Sequence, residues 1–393
     1  MRRLDVALGY GADAVYLAGK KLGMRAACKN FDNAELKAAS LAAHSQGKRF
    51  YVTVNIFPFD DDLYEIDEYL DYLASLSTDG IIVSDLGLIA HITKRYPNLP
   101  VHVSTQANVT NSETARLYAN LGASRIVLAR ELSIERIAEI RSKLDKRVEL
   151  EAFVHGAMCI SYSGRCLLSA YISGRSANRG ECNQACRMNF EIKGDMAGEQ
   201  LEFVEDDGTY IFGGNDLNMI EHLDDVINAG VTSLKIEGRV KSEYYVGCIV
   251  NAYRKALDAV LRGDKVDKVF ADEVAKAPNR GFNTGFYYGM PERKPTNAEY
   301  YDFCGMVVKN TKAGCVVEMR NRFKTGDQLE VLSPDDKYLN STVTIPVMQT
   351  TDGEKSEVTD AKITLQRLLL PGINLPALSM LRRKRESVNQ PRV

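Results

Sequence analysis

The sequence predicts an α/β fold: a (β/α)8 TIM-like barrel lacking its first strand, followed by a small C-terminal antiparallel β-barrel domain. Three observations predict it. Over residues 1–260, short apolar runs alternate with amphipathic helical segments. Polar and charged residues recur where those runs end. From Tyr301 onward the texture changes to closely spaced strand-like runs separated by turn signals.

The apolar runs are Ala14–Leu17, Phe50–Ile56, Ile81–Asp85, Val101–Gln106, Arg125–Arg130, Val148–His155 and Ser233–Glu237. Between them Leu63, Ile66, Leu70, Leu73 and Leu76 fall at helical spacing, as do Ile134, Ile137, Ile140 and Leu144. Strands alternating with helices build βαβ units and a parallel sheet, and mostly apolar strands are those covered on both faces. A closed barrel of this type has eight strands. Seven runs, preceded by the helix-like Arg2–Tyr10, therefore predict a barrel without its first strand. Tyr244–Leu261 reads as a long helix, and Lys276–Arg293 is rich in Gly, Asn and Pro. The runs CGMVVKN, CVVEMRN, DQLEVLS, STVTIPVMQ and AKITLQRLL then suggest a small antiparallel barrel. The expected organisation is a barrel over 1–275 with a cysteine-rich loop at 156–187, a connector at 276–300, and a β-domain over 301–393 ending in the basic tail LRRKRESVNQPRV.

Composition narrows the function classes. The 393 residues carry ordinary charged and apolar fractions, which sets aside disorder and fibrous architectures. There is no run of 18 apolar residues, and the N-terminus lacks the apolar core of a signal peptide. The expectation is a cytoplasmic protein with reduced thiols. A net charge of -2 argues against non-specific coating of nucleic acid, which needs many Lys and Arg contacts to phosphate. The charge is uneven. Residues 301–393 hold 14 Lys+Arg against 11 Asp+Glu, a net of +3, and the remainder holds 36 against 41, a net of -5.

In parallel barrels the chemistry sits at the C-terminal ends of the strands. Here those ends read Asn55, Ser84 and Asp85, Ser104 to Gln106, Arg130 and Glu131, His155, and Lys235 to Arg239. A structural account also exists for some of them: Ser84 or Asp85 as a helix N-cap, Lys235 and Glu237 as an ion pair, and His155 as a buried structural residue. Directly after the sixth run come Cys159, Cys166, Cys182 and Cys186, spaced C-x6-C-x15-C-x3-C. Four thiolates can hold an iron–sulfur cluster or a zinc ion, and buried thiols are the third reading. The long, unequal gaps suit a cluster held by a loop over a barrel mouth better than the short knuckles of structural zinc. Cys28, Cys248, Cys304 and Cys315 stand apart and read as structural. GxSxG, HExxH, Walker A and a strand-linked GxGxxG are all absent.

ELEAFVHGAMCISYSGRCLLS and the following GRSANRGECNQACR closely resemble the signature of the collagenase-like peptidases catalogued as family 32 of unknown catalytic type. GADAVYLAGKKLGMRA, VTVN, IIVSDLG, VHVSTQANVTN, RIVLARELS, SLKIEGRVKSEYYV and NRGFNTGFYYG extend the resemblance over nearly the whole chain. Relatives usually open with a strand like ELLAPAG, which this sequence lacks. They often read SKDL where this chain has GGNDL at Gly213–Leu217. The cysteine spacing followed by a small β-domain looks most like the prephenate-dependent branch that hydroxylates the tRNA wobble uridine at carbon 5 without oxygen. The resemblance implies tRNA as partner, prephenate as hydroxyl donor, and a 4Fe-4S cluster on Cys159, Cys166, Cys182 and Cys186, with zinc as the alternative. It implies His155, Glu237 and Arg239 as catalytic candidates. Asn55, Gln106, Arg130, Glu131, Arg179 and Lys235 become candidates for binding substrate or donor, because Arg and Lys offer a dicarboxylate charge-assisted hydrogen bonds. Collagenase-like proteolysis and hydroxylation of ribosomal RNA are the alternative activities.

Overall fold

The computed structural model describes residues 1–24, 30–188, 192–196, 199–203, 214–291, 298–351 and 356–385. Cys28, Gly213, part of the connector and the last residues of the tail lie outside the described residues. The chain forms two compact units: Ala14–Val240 with Arg280–Thr296, and Met1–Asp13 with Lys241–Asn279 and Asn297–Val393.

The first unit is built on a mainly parallel sheet. Its strands are β1 (Ala14–Ala18), β2 (Arg49–Val54), β3 (Gly80–Val83), β4 (Val101–Val103), β5 (Arg125–Val127) and β6 (Glu149–Ala157). After a hairpin, β7 (Ile192–Met196) and β8 (Glu199–Phe203), come β9 (Asp216–Asn218), β10 (Ser233–Ile236) and β11 (Phe282–Asn283). Strands β1 to β6 lie side by side in sequence order and β10 joins β6, all parallel. Seven parallel strands in that order match the sequence reading. The residues between two covered faces are apolar, so Val52, Ile81, Val83, Val103, Ile126, Leu150 and Val154 are wholly buried. Four helices of this unit begin where Asp32, Asp85, Asn111 or Ser133 accepts from a free backbone N–H of the first turn. Asp85 Oδ1 accepts from Leu88 N at 2.8 Å, whereas Ser84 Oγ donates to Ile56 O at 3.1 Å. Asp85 is thus a cap.

Two features were not expected. β9 pairs antiparallel with the end of β6, and β11 pairs parallel with β9. The edge strands β1 and β10 also approach each other through side chains. Tyr16 Oη lies 3.4 Å from Ile236 O and 3.3 Å from Glu237 Oε2, and Lys235 Nζ sits 4.4 Å from the Tyr16 ring centre. No ladder joins β1 to β10 among the described residues.

The second unit takes in segments outside residues 301–393. Helices Arg2–Gly9, Glu243–Leu261 and Lys268–Ala275 belong with the C-terminal sheet because their inward faces pack on it. Tyr10 Oη donates to Leu332 O at 3.1 Å and to Leu378 O at 2.8 Å. Gly247 lets the long helix approach so closely that an added Cβ would stand 3.2 Å from Met380. The antiparallel sheet runs in the order Thr342–Thr344, Gln328–Leu332, Met380–Lys384, Tyr301–Thr311, Gly314–Met319, Arg367–Pro371, Met348–Thr350 and Glu357–Val358. Its core includes Val307, Val317, Leu329, Val331, Leu368, Leu370 and Leu381, with Cys304 and Cys315 fully buried among them. The run STVTIPVMQ splits into two strands around Ile345 and Pro346, since proline cannot donate to a ladder. The basic tail begins as an interior strand. Arg382 is fully buried and forms a bidentate pair with Glu273 and a second pair with Glu330, while Arg383 pairs with Asp327 and Arg385 with Asp302. These pairs commit the three arginines to the structure of the unit.

Candidate functional site

The segment carrying the four cysteines folds back onto the C-terminal ends of the parallel strands, and the residues singled out there are largely what binds it. Glu131, just past β5, accepts from Ser163 N at 2.9 Å and from Ser163 Oγ at 3.2 Å. Gly164 has φ +73°, and an added Cβ would stand 2.1 Å from Gln106 O, so only glycine lets the loop touch the end of β4. Arg179 donates to Phe57 O at 3.0 Å and forms a bidentate pair with Asp62 at 2.6 and 3.1 Å. Its guanidinium also lies 4.2 Å from the Phe59 ring centre, and Phe57 N donates to Asn178 O at 3.0 Å. Hydrogen bonding from Arg179 holds the Asp62 carboxyl below its ordinary range. Arg130 packs 4.0 Å from the Phe153 ring centre, donates to Ala157 O at 2.9 Å and reaches Cys159 Sγ at 4.0 Å. Its buried Nε has no hydrogen-bond partner among the described residues.

The four cysteines are free thiols, with Cys159 exposed and Cys166, Cys182 and Cys186 half-buried. The Cys186 thiol is pushed up first by burial and then by Cys159, with Cys182 and Cys166 acting the same way and Arg187 opposing. All three other cysteines are thus near enough to act electrostatically on one thiol. Among the described residues no group of three His, Cys, Asp or Glu side chains is arranged to hold a metal ion. The donor set itself, four thiols from one loop with arginines beside them, suits a cluster bound by thiolates.

Beneath the loop lies a second, deeper layer. Asn55 is buried; its Oδ1 accepts from Met24 N at 3.1 Å and its Nδ2 donates to Ser104 Oγ at 3.2 Å, which also accepts from Gln106 N at 3.2 Å. His155 is buried against the Phe282 ring, 5.7 Å between ring centres, and its carbonyl accepts from Glu237 N at 3.0 Å. Gly156 takes φ +125° under Glu237, whose Cβ would meet an added Cβ at 2.8 Å. Glu237 Oε1 accepts from Arg239 N at 3.1 Å, and Arg239 Nη2 donates to Met24 O and, at 3.3 Å, to Asn30 Oδ1. The ends of β1, β2, β6 and β10 are therefore drawn together around Asn55, His155, Glu237 and Arg239.

Lys235 behaves differently from the expectation. It does not pair with Glu237. Its Nζ lies 2.6 Å from Glu151 Oε1, and both residues are buried. Glu151 also accepts from Arg125 at 3.0 Å and from Ser233 Oγ at 2.8 Å. Burial alone would raise the Glu151 carboxyl, but Lys235 and Arg125 outweigh it and hold the group at about 2. Burial and the nearby Arg125 push His102, in the same interior, down to about 3, so it is neutral near pH 7. The reason is geometric: Lys235 lies in β10 opposite Phe153, two positions from Glu151, so its side chain enters the sheet interior.

Sequence reasoning did not single out Asp62, Ser163, Glu151 or Arg125. Glu151 was findable: Glu149, Glu151, Arg125 and Lys235 are charged residues inside otherwise apolar parallel strands. Ser163 and Asp62 carry no comparable signal, since their partners are distant in sequence. Asp216, preserved within GGNDL, pairs with Arg280 at 2.9 Å.

The model of peptidase family U32 matches residues 1–297, and that of the peptidase family U32 C-terminal domain matches residues 299–382. The tRNA hydroxylation protein P1 of Bacillus subtilis (strain 168) is 36% identical over 367 residues, covering 90% of this chain and 86% of that protein. A 23S rRNA 5-hydroxycytidine synthase of Escherichia coli (strain K12) is 34% identical over 341 residues, covering 83% of this chain and 50% of that protein. A protein named collagenase from Porphyromonas gingivalis (strain ATCC BAA-308 / W83) is 32% identical over 300 residues, covering 73% of this chain and 71% of that protein. With both its domains matched and relatives aligned over most of its length, the chain belongs to peptidase family U32.

Proposed function

We propose that this enzyme hydroxylates RNA, and specifically the tRNA wobble uridine at carbon 5, without oxygen. The observation that carries the reading is the cysteine loop, four thiols on a segment bonded at several points to the strand ends where Asn55, His155, Glu237 and Arg239 meet. The similarity to a tRNA hydroxylation protein over 90% of the chain supports it, because that match takes in the C-terminal domain as well. The sheet of the first unit then serves as an incomplete (β/α) barrel with its active end under the loop.

Cys159, Cys166, Cys182 and Cys186 would hold an iron–sulfur cluster, which when bound supplies one-electron chemistry. The other roles fall to side chains. Arg130 places positive charge beside the Cys159 sulfur. Its spare Nε and the Arg239 guanidinium suit a dicarboxylate donor such as prephenate. Asn55 offers a fixed amide of the kind that reads a base edge, and Glu237 and His155 are placed to hold or move a proton. An anticodon loop already exposes its bases, so little unstacking is needed for one to enter. Arg179 and Glu131 position the loop.

The test is mass spectrometry of tRNA nucleosides from a deletion strain. Loss of 5-hydroxyuridine derivatives, restored by the wild-type gene, is expected; an unchanged nucleoside profile overturns the assignment. The similarity to a collagenase favours one second reading, proteolysis of gelatin-like chains. Cleavage by protein freed of contaminants, lost on thiol blocking, would establish that reading instead.

A further inference from the structure

We propose that the outer face of the cysteine loop is a stacking platform for the unpaired nucleotides flanking the reactive base, an inference that rests on the RNA-modification reading. Tyr162, Leu167 and Tyr171 are exposed at 62%, 58% and 85%, large values for apolar and aromatic side chains on a segment so firmly anchored beneath. Arg165 and Arg175 are exposed beside them. Residues 157–188 contain four Arg (165, 175, 179, 187) and one acidic residue, Glu181, a net of +3 in a chain whose total is -2. Arg179 is spent on Asp62 and Arg187 is half-buried and bonded to Gln184, so the outward positive charge comes from Arg165 and Arg175, with Glu181 the one exposed acidic residue of the segment.

Aromatic faces alternating with arginines in a positively charged setting are how proteins hold single-stranded nucleic acid, because every base has a stackable face. The platform is stiffened from within. Ser169 Oγ donates to Asn183 Oδ1 at 2.9 Å and Asn183 Nδ2 donates to Ser173 Oγ at 2.8 Å, which ties the helix Leu168–Ser173, and Tyr171 with it, to the segment carrying Cys182 and Cys186. A groove of about 320 Å³ lined by Phe57, Gly164, Arg165, Leu167 and Asn178 opens on the same surface. It lies where the loop meets the residues following β2, so a strand of RNA crossing the platform would pass close to the strand ends. Charge complementarity selects the occupant: a polyanion with planar rings meets both the arginines and the tyrosines, whereas a neutral polypeptide uses only the latter.

The experiment measures anisotropy of a labelled RNA hairpin with an anticodon-type loop, titrated with the iron-loaded full-length protein. A perfectly paired duplex of the same stem sequence serves as control. Tyr162→Ala and Tyr171→Ala are each expected to weaken hairpin binding roughly five- to a hundredfold, the range of one base–aromatic stack, and to leave duplex binding unchanged. Arg175→Ala is expected to weaken hairpin binding and to lower the slope of log affinity against log salt by about 0.7. Iron content equal to wild type shows that each variant keeps its loop. Hairpin binding that survives all three substitutions overturns the platform and leaves the RNA-modification reading intact. Wild-type protein that binds no hairpin overturns both. Variants that instead lose binding to a Gly-Pro-rich peptide assign the face to a polypeptide and overturn the platform.

Discussion

Replacing Glu151 by Gln removes the one carboxylate that Lys235 and Arg125 share, while preserving shape. In the native protein this carboxylate lies 2.6 Å from Lys235 Nζ and 3.0 Å from Arg125 Nη1, and all three residues are buried. The variant leaves Lys235 without a counter-ion among the described residues, because Arg125 keeps Glu149 at 2.5 Å and Lys235 Nζ otherwise faces the Tyr16 and Phe153 rings. Removing one partner of a buried pair costs about 3–5 kcal/mol. The exposed flank of Glu149 weakens the Arg125 share, so a loss near 3 kcal/mol is expected in the urea unfolding of the parallel-sheet unit. Lys235→Met should recover part of the loss when combined with Glu151→Gln, since the double variant buries no unpaired ammonium. The same network predicts acid behaviour. A carboxyl held at about 2 when folded, against an ordinary value near 4.5, contributes stability that is complete above pH 4.5 and is lost as pH falls toward 2. If Glu151→Gln and Lys235→Met each change stability by under about 1 kcal/mol while Lys235→Met raises the substrate KM, the network argument is wrong and Lys235 is a binding residue after all.

Other expectations follow from the same geometry. His102, held down to about 3, is neutral when folded and protonates in the unfolded chain below about 6.5. Its contribution is therefore lost as pH falls from 6.5 toward 3, and its ring resonances by NMR should not titrate between pH 7 and 5. Arg382→Met takes the bidentate partner from buried Glu273, which keeps only Lys276 at 3.2 Å among the described residues, and should destabilise the C-terminal unit by about 3 kcal/mol, the lower end for a broken buried pair, read by thermal unfolding, while leaving RNA affinity unchanged. Arg179→Ala removes a bidentate pair and a backbone contact and should free the loop by about 2 kcal/mol, seen as faster hydrogen exchange at 176–187 with global stability nearly unchanged. Each of Cys159, Cys166, Cys182 and Cys186 changed to Ser should lower the iron and sulfide content of anaerobically purified protein; full iron in all four variants would remove the cluster from the proposal.

Much of this molecule follows from local sequence alone. Seven apolar runs between amphipathic segments specify the parallel strands and their order, because hydrophobic periodicity and short connections leave few other arrangements. The cysteine spacing and the polar strand ends likewise mark the site, since those positions depend on where strands stop. Tertiary structure decided what each polar group does there. Glu131, Arg179 and Gln106 turned from binding candidates into anchors of the loop because their partners, Ser163, Asp62 and Gly164, lie between 32 and 117 residues away in sequence. Lys235 went inward because side chains alternate along β10 and one face of that strand meets Glu151. The tail became an interior strand because its leucine, Leu381, and Arg382 find a core and two carboxylates supplied by distant segments. Periodicity and spacing are local and can be read along the chain; the partner of a buried charge is set by three-dimensional packing.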